Sequence, residues 1–252
     1  MPKKKYKVAL LCICLNQPYW EYAKNMMESA HNFFLREHDV DFIFWSDMPE
    51  TEGYGATVIP TEPVPWPYPT LLRYNLFLGE EERLKEYDYI FYCDIDMLFV
   101  DSVGDEIFGE GLTAAQHPMY AIRKEYMAPV EPNVNSTAYF KVPKYYYAGG
   151  FQGGRTKDFI AAMKVMRGNI ETDLNNNYIA RWNEESHWNK YLFDNPPAVV
   201  LTPSYIYPDS LINEYYVKVW GCNYQPKLVT ITKKFSLTKE GGDAVKQFIE
   251  TS

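Results

Sequence analysis

Apolar and polar positions in the first hundred residues switch between two periods. Lys7 to Cys14 is an almost unbroken apolar run, the pattern of a strand covered on both faces. Between Trp20 and Leu35 apolar residues recur at Trp20, Ala23, Met26, Met27, Ala30, Phe33 and Phe34, a helical spacing. Asp41 to Trp45 predicts a second strand and Ala56 to Ile59 a short third. Pro60 to Pro69 holds five prolines in ten residues and predicts a surface loop, after which Thr70 can cap a helix over Leu71 to Tyr87. Tyr89 to Asp94 predicts a further strand. This alternation of strand and helix predicts an α/β fold: a Rossmann-like, mostly parallel sheet with helices on both faces. No G-x-G-x-x-G follows the first strand, so a dinucleotide site of the usual kind is not expected.

The second half is less regular. Gly104 to Pro143 is rich in turn residues and carries Gln116-His117-Pro118 and Asn135-Ser136-Thr137-Ala138-Tyr139. Tyr145-Tyr146-Tyr147-Ala148 then leads into Gly149-Gly150-Phe151-Gln152-Gly153-Gly154. Four glycines in six residues indicate backbone that turns sharply or approaches a ligand closely. A helix is predicted over Lys157 to Arg167, followed by the aromatic and acidic run Trp182 to Tyr191 and a short strand at Ala198 to Leu201. Length and pattern predict one domain over 1–252: about 1–100 a nucleotide-binding half, about 101–252 a second half.

Composition narrows the partners. The net charge of −8 and the absence of a basic stripe argue against nucleic acid. With 22 Tyr and 6 Trp the chain is rich in rings that pack cores and stack on sugars and bases. Val8 to Leu15 follows three lysines but is too short to span a bilayer, so a buried strand is the better reading than a signal segment. Cys12, Cys14, Cys93 and Cys222 show no metal-ligand spacing and read as reduced thiols of a soluble, cytoplasmic protein.

Asp94-Ile95-Asp96 carries the sharpest chemistry. In extended backbone Asp94 and Asp96 share one side while Ile95 faces the other. Two hard oxygen ligands at the carboxyl end of a buried strand suit a divalent cation with positions left for phosphate. The bland reading is a solvated pair of carboxylates in a strand-end turn.

Taken with the other segments, this D-x-D resembles the family 6 retaining glycosyltransferases, the group of the histo-blood-group A and B transferases and the α-1,3-galactosyltransferase. The markers are Asp94-Ile95-Asp96, His117-Pro118, Ser136-Thr137-Ala138-Tyr139, Tyr146-Tyr147-Ala148-Gly149-Gly150 with Gly153-Gly154, and Trp182 to Tyr191, running from the first strand to about Tyr207. The resemblance implies a GT-A fold. It also implies transfer of N-acetylgalactosamine, or less favourably galactose, from UDP to a galactose-type glycan in an α-1,3 linkage with retention. It further implies Mn²⁺ or Mg²⁺ on Asp94 and Asp96, and a compact bacterial or viral member without the anchor and stem of the vertebrate enzymes.

Residue by residue, the resemblance assigns the donor to Tyr19, which would stack on uracil, Arg73, Asp94, Asp96, Ala148, Gly149 and Gly150. It assigns the acceptor to His117, Trp182, Asn183 and Glu184, and catalysis to Glu185, as nucleophile or as stabiliser of an oxocarbenium-like centre. Each has a plain structural alternative: a half-buried Tyr19, a solvated helix-face Arg73, a hydrogen-bonded His117, a solvated Glu184-Glu185 pair. The motif departs from the family at Asn183, which replaces a histidine, and Glu184, which replaces an aspartate. Ala148 is smaller than its family counterpart, and Gly150 matches the glycine of GalNAc-transferring forms. Lys227, Lys233 and Lys234 are available for phosphate in the tail, or are simply solvated. The competing function is a non-catalytic, metal-dependent carbohydrate-binding protein on the same fold.

Overall fold

The structure is a computed structural model in which residues 4–49, 54–122, 129–141, 143–209 and 224–231 are described. The chain opens with β1 (Lys7–Cys14), α1 (Gln17–Phe33), β2 (Asp39–Ser46) and β3 (Thr57–Pro60). Three short helices follow, α2 (Tyr68–Leu71), α3 (Arg73–Gly79) and α4 (Glu81–Leu84), before β4 (Tyr89–Cys93) and β5 (Met97–Phe99). Then come β6 (Leu112–Gln116), α5 (Pro118–Ile122), β7 (Tyr147–Arg155), α6 (Thr156–Asn175), α7 (Asn183–Asp194) and β8 (Val199–Leu201). The last strands are β9 (Tyr207–Pro208) and β10 (Leu228–Thr230).

The main sheet has the order β3-β2-β1-β4-β7-β6-β8, and a small sheet has the order β5-β10-β9. β3, β2, β1 and β4 are parallel, whereas β7 is antiparallel to both β4 and β6. This is the mixed, mostly parallel α/β arrangement expected of a GT-A-like fold. The even residues Val8, Leu10, Cys12 and Cys14 of β1 pack with Met26, Met27 and Ala30 of α1 on one face. Its odd residues Ala9, Leu11 and Ile13 pack with Phe77, Phe159, Met163 and Trp188 on the other. Two covered faces explain the unbroken apolar run. Cys12, Cys14 and Cys93 are free, buried thiols in this core, as expected, and Cys222 lies outside the described residues.

Four expectations change. The single helix over Leu71–Tyr87 is three short helices whose junctions at Leu72 and Glu80 leave helical backbone angles, beside prolines at one end and Gly79 at the other. Thr70 is therefore no cap; it lies inside α2. The glycine-rich segment is a strand, β7, buried between β4 and β6. Finally, Asp94-Ile95-Asp96 is not extended: it follows β4 as a turn into β5, although Ile95 is buried and both aspartates keep some exposure. No helix among the described residues is long and apolar enough to cross a membrane.

Candidate active site

Antiparallel pairing brings the first residues of β7 to the carboxyl end of β4. Cys93 pairs with Phe151, and the Asp94 amide donates to the Gly150 carbonyl at 2.9 Å. Helix α7 lies across the same stretch. Asn189 fastens it, accepting the Tyr147 amide at 2.8 Å and donating to the Tyr147 carbonyl at 2.8 Å. A Cβ on Gly149 would stand 2.9 Å from Glu184 Oε1 and 3.4 Å from Glu185 Cβ, and one on Gly150 would stand 2.8 Å from Asp94 Oδ2. These two glycines are what let the helix and the aspartate turn close on the strand.

Beside these glycines lies a buried charge cluster. Arg73, on α3, donates to the Gly149 carbonyl at 3.0 Å and pairs with Glu184 Oε1 at 2.9 Å. Its guanidinium lies 3.7 Å from Asp94 Oδ1 and 4.1 Å from the centroid of the Tyr92 ring. Thr70 donates to Glu184 Oε2 at 2.7 Å and also meets Arg73. Burial works against the Arg73 cation, but Glu184, Tyr92 and Asp94 around it more than compensate and raise its pKa. Burial likewise raises the Glu184 pKa while Arg73 and Thr70 oppose the rise. A bidentate-capable cation with hydrogen-bonded partners on every side holds Glu184 as an ion pair. Arg73 is thus not a solvated helix-face residue, and Glu184 is not a solvated one either: it is buried against Arg73 and Thr70.

Glu185 is treated differently. Its Oε2 accepts the Gly149 amide at 2.8 Å and its Oε1 accepts the Tyr146 hydroxyl at 2.9 Å. Among the described residues no cation touches it. Burial pushes its pKa up to about 7, against the two hydrogen bonds and with help from the nearby charges of Glu184 and Asp94. A carboxylate with two neutral donors and no counter-ion is poised to meet positive charge developing on a substrate.

Beside Glu185 is an aromatic shelf. Tyr146 meets Tyr120 at 5.3 Å and His117 at 6.0 Å between ring centroids. His117 donates its amide to the Tyr146 carbonyl at 2.9 Å, and burial lowers its imidazole pKa to about 4, so the ring is neutral at physiological pH. Trp182 is 45% exposed at the head of α7, next to Asn183, whose φ of 51° begins the helix from the left-handed region. Ala148 is buried in β7. Tyr19 stands apart, half-buried in the first turn of α1 at the end of β1, 6.2 Å from the Tyr22 ring.

Asp94 and Asp96 suit a hard divalent cation by ligand type and by their partial exposure at the cleft. Among the described residues no group of three His, Cys, Asp or Glu side chains could hold a metal. Lys227 is engaged elsewhere, with Glu106 at 2.7 Å and the Ser102 carbonyl; Lys233 and Lys234 lie outside the described residues. Sequence reasoning missed Thr70, Tyr92, Tyr146, Gln152 and Asn189 as parts of the site. Gln152 bridges the Gly149 carbonyl at 2.8 Å and the Tyr74 hydroxyl at 2.8 Å, and Tyr92 donates to Asp94. Only Tyr146 had a signal, its place in the aromatic run before the glycines.

The sequence model of glycosyltransferase family 6 matches residues 76–232, which take in every candidate residue except Tyr19, Arg73, Lys233 and Lys234. Globoside alpha-1,3-N-acetylgalactosaminyltransferase 1 of Homo sapiens is 28% identical over 207 residues, 76% of this chain and 58% of that protein. Histo-blood group ABO system transferase 1 of Rattus norvegicus is 30% identical over 209 residues, 77% of this chain and 59% of that protein. O-antigen biosynthesis glycosyltransferase WbnI of Escherichia coli is 32% identical over 208 residues, 80% of this chain and 88% of that protein. The match thus spans about three-fifths of the two mammalian relatives and most of the bacterial one.

Proposed function

The chain belongs to glycosyltransferase family 6, and from that premise we propose that it moves N-acetylgalactosamine, or less readily galactose, from UDP to a galactose-type glycan. The linkage formed is α-1,3, with the anomeric configuration of the donor retained. One observation carries the reading. The uncompensated carboxylate of Glu185 and the Asp94 backbone are both hydrogen-bonded to β7, at the adjacent residues Gly149 and Gly150. A sugar-diphosphate lying along this stretch would present its phosphates to Asp94 and Asp96 and its anomeric carbon to Glu185.

In the transfer, the bond from the anomeric carbon to the β-phosphate oxygen breaks and UDP departs, a bond to the acceptor oxygen forms, and the acceptor's hydroxyl proton passes to the released phosphate. Positive charge grows on the anomeric carbon, and Glu185 stabilises it, either through space or as a covalent partner. Asp94 and Asp96 would hold Mn²⁺ or Mg²⁺, which when bound neutralises the departing diphosphate. Arg73 and Glu184 form the wall against which the donor sugar rests. The shelf of His117, Tyr120 and Tyr146, with Trp182 at the head of α7, offers stacking faces and a neutral imidazole to the acceptor. GalNAc is favoured by the small residues Ala148 and Gly150, and the human relative is an N-acetylgalactosaminyltransferase by name. Tyr19 is proposed to stack on the uracil.

The test is release of UDP from UDP-GalNAc, UDP-Gal and UDP-Glc with Mn²⁺, with and without a galactoside. The account expects fastest turnover of UDP-GalNAc, abolished by EDTA, restored by Mn²⁺, and giving the α product. Donor binding without any turnover would make this a carbohydrate-binding protein, and a β product would make it an inverting enzyme.

A further inference from the structure

Asp47, immediately after β2, reaches across to the turn between β1 and α1. Its Oδ1 accepts the Asn16 amide at 2.9 Å and the Trp20 indole N–H at 3.0 Å. Those two donors bracket the turn. Asn16 has φ 74°, in the left-handed region, and its carbonyl accepts the Tyr19 amide at 3.0 Å. Helix α1 has no side-chain cap of its own and no acidic residue in its first turn. The next residue back repeats the grip: the Ser46 hydroxyl donates to the Cys14 carbonyl and accepts the Met48 amide at 3.1 Å. The end of β2 therefore holds from outside a helix start that carries a proline but no side-chain cap of its own, and one carboxylate oxygen serves two donors there.

We propose that Asp47 is a positioning residue for the nucleobase: it sets the β1–α1 turn so that the Tyr19 ring is presented to the uracil of the donor. The proposal rests on the reading of the protein as a UDP-sugar enzyme with its base at Tyr19. Asp47 acts through the turn, so its loss weakens what the base contributes and leaves the diphosphate and the chemistry alone.

The experiment measures calorimetric affinity for UDP and for inorganic pyrophosphate, both with Mn²⁺, in wild type, Asp47→Ala, Asp47→Asn and Tyr19→Ala. Asp47→Ala should weaken UDP about tenfold, which is about 1.4 kcal/mol, raise the donor KM and keep kcat, with pyrophosphate affinity unchanged. Asp47→Asn keeps an acceptor oxygen and should return UDP affinity to within about twofold of wild type. Trp20→Phe, which removes one of the two donors, supplies an intermediate loss should Asp47→Ala fold poorly. Wild-type UDP affinity in Asp47→Ala beside a weakened Tyr19→Ala overturns the role of Asp47 alone. Equal loss of UDP and pyrophosphate overturns it too, because that is a general structural defect. Wild-type UDP affinity in Tyr19→Ala overturns the location of the base, and the proposal with it.

Discussion

Two sides of the same cleft handle negative charge in opposite ways, although the carboxylates concerned are consecutive residues. Glu184 is buried against Arg73 and Thr70, with both oxygens engaged by a cation or a hydroxyl. Glu185, one residue on, finds among the described residues only the Gly149 amide and the Tyr146 hydroxyl. The difference lies in surroundings rather than residue type. A carboxylate already neutralised by the protein can shape a pocket but has little left for a substrate. One left without a counter-ion has its charge in reserve for a cationic transition state.

The harshest way to break the comparison is to remove the cation. Arg73→Met leaves Glu184 buried and unpaired, and the expected cost is about 3–5 kcal/mol, read as a lower midpoint in urea. Adding Glu184→Gln should recover part of that loss. An Arg73→Met variant as stable as wild type would mean that Glu184 is not the compensated carboxylate.

Gly150→Ala is the next test. The new methyl would lie 2.8 Å from Asp94 Oδ2 and 2.8 Å from Ile206 Cδ1, so both side chains must shift before any donor arrives. UDP-GalNAc turnover should fall further than UDP-Gal turnover, a change in preference of about 1–3 kcal/mol, and the Mn²⁺ concentration for half-maximal rate should rise. A wild type that strongly prefers UDP-Gal would remove the steric basis for donor choice.

A third effect is on pH dependence. The Glu185 pKa of about 7 in the folded protein exceeds its ordinary 4.5, so the folded state binds that proton more tightly than the unfolded chain. Its contribution to stability is full below about pH 4.5 and is lost as pH rises to about 7. Turnover runs the other way, declining about tenfold per pH unit below about pH 7 as the charged form disappears. Matched melts of wild type and Glu185→Gln should diverge over that interval, and parallel curves would show that Glu185 does not titrate there.

Much of the first half was legible in the sequence because a strand covered on both faces leaves an apolar run that nothing else imitates. β1 spans Lys7–Cys14, the expected range. The glycine-rich strand was illegible for the converse reason, since strands disfavour glycine and a segment so rich in it reads as loop. Its glycines are there for close approach. A Cβ on Gly153 would stand 2.3 Å from the Ile90 carbonyl oxygen, so that pairing with β4 excludes any side chain. Of the site, Arg73, Asp94, Gly149, Gly150, Glu184 and Glu185 are brought together. What could not be read was which of two adjacent glutamates Arg73 would take. That follows from how α7 is pinned to β7 by Asn189, a long-range contact with no local pattern.

The measurement that bears most directly on this division of labour is turnover of Glu185→Gln set beside its affinity for UDP-GalNAc. The variant keeps the shape and loses the charge. The account predicts a kcat lower by about 10²-fold or more, roughly 3 kcal/mol, with donor Kd nearly unchanged, because the interaction lost is made chiefly in the transition state. A variant that binds donor and transfers sugar at close to the wild-type rate would contradict the account and leave the uncompensated carboxylate without a catalytic role.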